Sequence, residues 1–298
     1  MAVEFPRDRP HFFITGGGAI EPYRRPKQKI DSQPLPLRDR ASHAAALEAA
    51  IGTALDAARL QLAERDPALT AGTPGFYLEV VVPAGERAVI DQLADRRKHM
   101  EVVAVREVAG QPITASVFVP TAAEDYYLGK VRAYRDTDTP GHRPRNEPLV
   151  TRMETVRLAS ARSLFTDEDR LFPENPQERV WWEIWLRGGR RETFERMANA
   201  LNFGLKAHAV KFPEREVVLA LADVASLDRI VAHSDVVAEL RRGKDTPAFF
   251  LGLGGAEQRA WSDEVLERLV PPDANASVAV CLLAVSYTHL RAHETKAN

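Results

Sequence analysis

Two stretches of this 298-residue chain repeat one order of apolar segments, and this repeat constrains the fold more than any other feature. Each stretch begins with an apolar run typical of a β-strand and continues with a segment whose apolar residues recur at helical spacing. Two further strand-like runs around a short turn follow, and then a second helical segment. The order strand–helix–strand–strand–helix occurs at 75–136 and again at 178–242. The chain is therefore predicted to contain two related modules.

The ten segments can be read directly from the sequence. The first module reads GFYLEVVVP, GERAVIDQLADRR, HMEVVAVREV, ITASVFVP and AAEDYYLGKVRAYRD. The second reads RVWWEIWLRG, RETFERMANAL, LKAHAVKFP, REVVLALAD and SLDRIVAHSDVVAELRR, and the last of these is predicted to be helical throughout. The order β-α-β-β-α is typical of ferredoxin-like modules. We therefore predict an α+β fold of two tandem ferredoxin-like modules with helical linkers.

The segments outside the two modules complete the predicted organisation. Residues 1–37 are rich in Pro, Gly and basic side chains and predict an irregular basic arm. Residues 38–68 predict a helix that Asp66-Pro67 ends. A helical linker is predicted over 149–170, between the modules. One face of the helix at 38–68 is formed by apolar residues at steps of three and four, namely Leu47, Ile51, Leu55, Ala58 and Leu62.

Composition and charge argue against several classes of protein. The 40 basic and 42 acidic residues nearly balance, so bulk charge does not indicate a nucleic-acid or membrane partner. The single cysteine, Cys281, permits neither an intramolecular disulfide nor a cysteine-based zinc site, as is usual in a reducing cytoplasm. No apolar stretch is long enough to span a bilayer, and the start of the chain lacks the apolar region of a signal peptide. These features predict a cytoplasmic protein.

No local motif in the chain predicts a catalytic, cofactor-binding or metal site. The glycine clusters are not followed by Lys-Ser/Thr and are interpreted as turns. The histidines lack the paired spacing of metal ligands, and the serines lack a nucleophile-elbow context. The acidic run precedes no calcium-binding loop. These residues are Gly16, Gly17, Gly18, Gly252, Gly254, Gly255, His99, His142, His208, His233, Ser163, Ser226, Asp167, Glu168 and Asp169.

The tryptophan-rich strand at the start of the second module has two chemically different faces. Alternation places Trp182 on one face and Trp181 and Trp185 on the other. One face is predicted to lie in the core, and the other is predicted to dock on a neighbouring domain, where Trp is favoured. The tryptophans with Phe203 also raise the hypothesis of base stacking, but no RNP-like run accompanies them, which disfavours nucleic-acid binding.

The last part of the chain combines an apolar strand with a foreign-looking tail. The continuous apolar run Val278–Leu283 is typical of a buried strand of a parallel sheet, and chemistry in such sheets lies just past the strand, here at Ala284. Residues Val285 to Thr295 match one reading frame of a transposon-end adapter used in sequencing libraries. We therefore interpret 284–298 as an artefact tail. Ala284 is then a hybrid codon, and its native first base G is compatible with Asp.

An apolar strand followed by Asp resembles the opening of a subtilisin-like catalytic domain (peptidase family S8). The segments RPHFFITGGG and PLPLRDRASHAAAL, with the tandem α/β modules, resemble the N-terminal region of large bacterial subtilases. The resemblance covers most of residues 8–283 and implies that 243–283 begin the catalytic domain. It places the triad Asp at the position occupied by Ala284 and the triad His and Ser beyond it, so the chain itself is expected to lack peptidase activity.

The resemblance implies that the modules are the regulatory or recognition, propeptide-like region of a serine endopeptidase. Its implied partners are the chain's own catalytic domain, a polypeptide substrate and an AAA-type ATPase, without cofactor, metal or membrane. A second hypothesis is a stand-alone interaction protein, either a protease inhibitor or a chaperone-like protein. A third is RNA binding through the tryptophan-bearing sheet.

Overall fold

The computed structural model of the chain describes residues 35–64, 66–244 and 253–268. These residues form six α-helices and eight strands, which make two four-stranded antiparallel sheets, and the α+β prediction is confirmed. Within these ranges no helix is both long enough and apolar enough to cross a membrane. Residues 1–34 of the predicted basic arm, the strand Val278–Leu283 with Cys281, the position Ala284 and the tail lie outside the described residues.

The first sheet has the strand order β2-β3-β1-β4, with every neighbouring pair antiparallel. Short 3₁₀ helices follow β1 and β3. The predicted helix GERAVIDQLADRR is one of them, over Arg87–Leu93, and Val89, Ile90 and Leu93 are buried. The elements are α1 (Arg40–Ala63), β1 (Gly75–Val82), β2 (Glu101–Arg106), β3 (Ile113–Pro120), α2 (Tyr126–Asp136), α3 (Glu147–Val150) and β4 (Thr155–Leu158).

The second sheet repeats this arrangement. Its strand order, β6-β7-β5-β8, is again second, third, first and fourth strand of the group, and all neighbours are antiparallel. One helix follows its first strand and another follows its third strand. The elements are β5 (Val180–Arg187), α4 (Arg191–Ala200), β6 (Gly204–Lys211), β7 (Arg215–Ala222), α5 (Val224–His233) and β8 (Val237–Arg242). A separate helix, α6 (Gly255–Glu267), follows.

The helix predicted over 149–165, within the linker 149–170, is wrong. α3 occupies its start, but Thr155–Leu158 form strand β4 on the edge of the first sheet. The segment alternates, with Val156 buried beneath α1 and Arg157 opposite Glu79 across the strands. The backbone carbonyls of β1 on this edge accept hydrogen bonds from the backbone N–H groups of the segment. Pairing of these backbone groups at the sheet edge outweighs the local tendency of the segment to form a helix.

The helix predicted over 226–242 is wrong in its second half. α5 ends at His233, and Val237–Arg242 pair with β5 as strand β8. Val236, Val237 and Leu240 are fully buried, because this strand closes the edge of the second sheet next to the first module. An apolar run followed by charged residues fits either a helix or a strand when only local spacing is considered, and here the tertiary pairing decides.

Two apolar cores lie on the helix-covered faces of the two sheets. In the first module, α1 and α2 pack on one face of the sheet, and the even-numbered side chains of β1 point into that core. The predicted apolar face of α1 is confirmed, because Leu47, Ile51, Leu55 and Ala58 are buried. In the second module, Trp182, Ile184 and Leu186 of β5 are buried with side chains of α4 and α5.

The opposite face of the first sheet is covered by the second module and by the segment that precedes it. Tyr77 and Phe118 from this face belong to the same core as Trp182 and Leu240. The Tyr77 hydroxyl donates to the carbonyl of Val237 at 2.7 Å, and burial raises the pKa of Tyr77 far above its ordinary value. The Ser116 hydroxyl donates to the carbonyl of Ser163 at 2.7 Å. The two modules therefore share one hydrophobic interior and are not independent domains joined only by a linker.

A buried ionic cluster lies at the edge of this shared interior. Asp235 is fully buried, and its Oδ2 accepts from Arg187 Nη1 at 3.2 Å, Arg190 Nη2 at 2.8 Å and the Thr73 backbone N–H at 3.1 Å. Arg187 also donates to Glu101 at 2.9 Å, and its guanidinium lies 4.4 Å from the centre of the Phe118 ring. Asp235 thus joins backbone of the first module to side chains of the second.

Gly72→Ala is expected to destabilise the protein more than Gly110→Ala. Both glycines have positive φ, 78° and 75°, so alanine strains the backbone at either position. Only at Gly72 does an added Cβ meet a side chain, because it would stand 1.8 Å from Asp235 Oδ1, whereas nothing lies within 4 Å at Gly110. Urea unfolding should show about 1 kcal/mol of loss for Gly110→Ala and at least 2 kcal/mol more for Gly72→Ala. Equal losses would contradict this packing.

Asp228→Asn is expected to raise stability at pH 7 and to leave it unchanged at pH 3. Burial raises the pKa of Asp228 above its ordinary value, although the Ala161 backbone N–H that donates to Oδ1 at 2.7 Å opposes the shift. The folded state therefore favours the protonated acid, and ionisation at neutral pH costs stability that returns as pH falls through the folded pKa. Asn removes the charge and keeps the acceptor. The prediction is contradicted if the stability of the variant, measured relative to the parent, is lower at pH 7 than at pH 3. The pKa of Asp228 would then be shifted in the opposite direction.

Candidate functional site

Several of the side chains singled out as possible catalytic or metal groups make structural contacts. The Ser226 hydroxyl donates to Asp223 at 3.1 Å at the start of α5, and Ser163 Oγ accepts from the Ser160 backbone N–H at 3.2 Å. Asp167 accepts from the backbone N–H of Arg242 at 2.9 Å, and Asp169 pairs with Arg162 at 2.6 Å. Gly254 and Gly255 stand at the start of α6. Within the described ranges no cluster of three His, Cys, Asp or Glu could hold a metal ion.

The predicted two-sidedness of the tryptophan strand is confirmed. Trp182 is fully buried, and its Nε1 donates to the carbonyl of Ala222 at 2.9 Å. Trp181 is 36% exposed, and Trp185 is partly exposed on the same side of β5. Phe203 does not join them, because it is buried in the core beside Phe194. The tryptophans thus divide between the interior and a surface of the second sheet.

This surface, called the open face here, is the side of the second sheet that points away from the core. The register places Trp181, Glu183 and Trp185 of β5 opposite Leu221, Leu219 and Val217 of β7. Lys206, His208 and Val210 contribute from β6, and Glu239 and Arg241 from β8. Val210 is 57% exposed and Phe212 44% exposed. Exposed apolar side chains that cluster in this way are typical of binding surfaces.

A groove of about 360 Å³ crosses the open face. Its walls are mostly apolar, and its polar groups are few. The lining residues are Glu183, Trp185, His208, Ala209, Val210, Phe212, Val217, Leu219 and Lys244. Such a composition suits an inserted apolar side chain with a small number of orienting polar contacts.

Trp185 is held in a fixed position in the groove. Phe212 stacks on its ring with a centroid distance of 5.3 Å and an angle of 11°, and the guanidinium of Arg241 lies 4.9 Å from the ring centre. Its Nε1 donates to Glu183 at 2.8 Å. Phe212 follows β6 and Arg241 lies on β8, so the two approach Trp185 from opposite sides of β5. A rigid aromatic side chain of this kind is a favourable anchor, because little conformational entropy is lost on binding.

The carboxylates of the open face accept hydrogen bonds from other residues of the face, whereas two of its cations pair with no carboxylate among the described residues. Glu183 accepts from Trp185, and Glu239 accepts from Arg241 at 2.6 Å. The ammonium group of Lys206 lies 4.9 Å from the Trp181 ring. In the part of the chain that the structure describes, neither Lys206 nor Lys244 forms an ion pair with a carboxylate. The open face therefore presents positive charge beside its apolar groove.

The groove was not predicted from the sequence. Val210, Phe212 and Lys244 belong to segments that are far from Trp185 in sequence. Val210 and Phe212 reach it across β7, and Lys244 reaches it because β8 pairs with β5. The available signal was the segment AHAVKFP, in which apolar and polar residues alternate up to an aromatic residue before proline. That pattern predicts a strand but not which of its faces stays exposed.

A scan of the chain against protein-family models and a search of curated proteins each found no match. Inferences about function therefore depend on the fold, the open face and the resemblance stated above.

Base stacking on the open face is disfavoured by its geometry. The two neighbours of the Trp185 ring, Phe212 and Arg241, already occupy the positions that stacked bases would need. Trp181 is contacted in the same way by Lys206. The aromatic rings thus contribute to a preformed apolar surface rather than to a row of free stacking platforms.

Trp182→Ala is expected to destabilise the protein far more than Trp185→Ala. Trp182 fills the core and contacts Phe165 and Phe172, so its loss should lower the free energy of unfolding by about 3–5 kcal/mol. Trp185 lies on the partly exposed face, and its loss should cost about 1 kcal/mol. Urea unfolding followed by circular dichroism compares the two variants. Similar losses would show that the open face is not a surface of the folded protein.

Proposed function

We propose that this chain is the propeptide-like recognition region of a subtilisin-like serine endopeptidase, and that its open face docks on the catalytic domain of that enzyme. The repeated strand order, with antiparallel neighbours and a helix after the first and third strand of each group, supports two ferredoxin-like modules. Subtilase propeptides share that fold, and the sequence resemblance implies the same family. Proteolysis in this proposal belongs to the docked domain, and the modules recognise and position it.

The open face carries this proposal. It combines exposed apolar side chains, a fixed tryptophan and charged residues at its margin, which is the composition of a reversible protein interface. Its exposed apolar side chains come from β5, from β6 and from Phe212 after β6, so the surface extends over several elements. A polypeptide partner therefore suits it better than a small ligand does.

The contact between the two modules supports the same use of the second sheet. In the first module, the sheet face opposite the helices is covered by α5 and by the 3₁₀ helix Ala161–Leu164 of the following segment. The equivalent face of the second module, opposite α4 and α5, is the open face. A helical surface of a catalytic domain placed there would repeat the contact that the first module makes with the second.

The alternative function, a stand-alone inhibitor or chaperone-like protein, uses the same face on a separate polypeptide. The two functions differ in the origin of the partner. Amplifying and sequencing the source DNA across the codon for Leu283 separates them. Continuation into Asp-Thr/Ser-Gly and later His and Ser motifs supports the endopeptidase, and a nearby genuine stop supports the alternative.

Val210→Asp is expected to weaken binding of the full chain to that catalytic domain at least tenfold. The substitution places a carboxylate at the apolar centre of the proposed interface, where docking would remove it from water. Surface plasmon resonance with the immobilised catalytic domain measures the dissociation constant, and inhibition of its peptidase activity gives a second readout.

Leu60→Asp is the matched control for this experiment. Leu60 lies on α1 and is 61% exposed, against 57% for Val210, so the two variants make the same chemical change at equal exposure. The control should bind within twofold of the parent chain. If both variants bind as the parent does, or if the catalytic domain does not bind at all, the proposed function is wrong.

A further inference from the structure

The groove on the open face limits the chemistry of whatever docks there. Its walls are formed by Trp185, Val210, Phe212, Val217 and Leu219, and burial of a large apolar side chain among them would be favourable. The groove is open along one side and holds about 360 Å³, so it can take one such side chain together with part of its backbone. The apolar walls therefore select a large apolar residue.

The charges around the groove select the neighbours of that residue. Lys244 lines the groove, and Lys206 lies over the adjacent Trp181. The carboxylate inside the groove, Glu183, already accepts from Trp185 Nε1, and Glu239 is paired with Arg241. Glu239 is paired with a cation, whereas the neutral N–H of Trp185 does not compensate the charge of Glu183. The three cations Lys206, Lys244 and Arg241 still outnumber these two carboxylates, so the face presents net positive charge to a partner. Complementary charge at the rim governs the specificity and the rate of docking.

We infer that the groove binds a polypeptide segment in which a large apolar side chain is flanked by carboxylates. The apolar side chain would enter between Trp185 and Val210, and the flanking carboxylates would lie near Lys244 and Lys206. This inference rests on the proposed function and names the chemistry of its partner surface. It also predicts that docking weakens as the salt concentration rises.

Three synthetic pentapeptides test the inference on the full-length chain. They are acetylated and amidated, with the sequences Asp-Glu-Phe-Asp-Glu, Lys-Arg-Phe-Lys-Arg and Asp-Glu-Ser-Asp-Glu. The readout is the indole N–H signal of each tryptophan in a ¹H–¹⁵N NMR spectrum, assigned with single Trp→Phe variants. The first peptide should shift the Trp185 signal in a saturable manner. The buried Trp182 signal should stay in place and serves as the internal reference.

Charge variants identify the cations involved. Lys244→Glu should weaken binding of the acidic phenylalanine peptide by about fivefold, and Lys206→Glu should act in the same direction. Lys98→Glu makes the same change on the first module, beside Tyr126, and should leave the affinity unchanged. The serine peptide should bind more weakly than the phenylalanine peptide, because it lacks the apolar side chain.

The outcomes separate this inference from the proposed function. Equal or tighter binding of the basic peptide, or a Trp185 signal that no peptide shifts, would overturn the inference. If the catalytic domain still binds and Val210→Asp still weakens it, the docking function stands while the acidic partner chemistry is wrong. If the acidic phenylalanine peptide binds and the catalytic domain does not, the groove recognises another polypeptide, and the proposed function fails on its own.

Discussion

The arrangement of the two modules depends on the buried carboxylate of Asp235. It accepts hydrogen bonds from Arg187, Arg190 and the backbone of Thr73, so it ties the second sheet to the segment that leads into the first. A charge in this position is stable only while its partners stay in place, and removing one partner of such a buried pair costs about 3–5 kcal/mol. The planar guanidinium of Arg187 suits the role, because it bonds Glu101 and Asp235 while lying on Phe118. The ionic cluster therefore fixes the relative position of the modules more strictly than apolar packing alone would.

This constraint decides which sheet faces are used and which remain. A backbone bridge between Ala71 and Ser234 lies next to the ionic cluster, and a second bridge joins Phe165 to Leu240 of β8. The segments before and after the first sheet are therefore bonded to the second module through their backbones. The first sheet is consequently enclosed by helices on one side and by the second module on the other. The second sheet is enclosed on one side only, within the described part of the chain. The contact between the modules uses strand β8 and helix α5 of the second module. Among the described residues nothing covers the outer surface of its sheet, and this surface is the open face.

The local sequence pattern predicted the structure correctly in segments whose own side chains determine whether they form a helix or a strand. The strand Ile113–Pro120 follows from an apolar run directly after a turn, and the split of Trp181, Trp182 and Trp185 between two faces follows from period-two alternation. Local pattern failed at Thr155–Leu158 and Val237–Arg242, because both segments become strands by completing the edges of sheets whose other members lie far away in sequence. The groove was missed for the same reason, since β6, β7 and β5 bring its walls together. Asp235 was also not anticipated, because its partners come from both modules.

The polar groups of the two outward sheet faces show why one is permanently covered while the other can bind reversibly. On the first sheet, Tyr77 donates to the carbonyl of Val237 in the second module, and Ser116 donates to the carbonyl of Ser163 in the segment between the modules, so exposing that face would break these bonds. On the open face, Glu183 is satisfied by Trp185 and Glu239 by Arg241, both within the same sheet. The open face therefore loses no internal hydrogen bond when a partner leaves. A surface that is complete without its partner, yet carries an apolar groove and available positive charge, suits a docking contact that forms and dissociates.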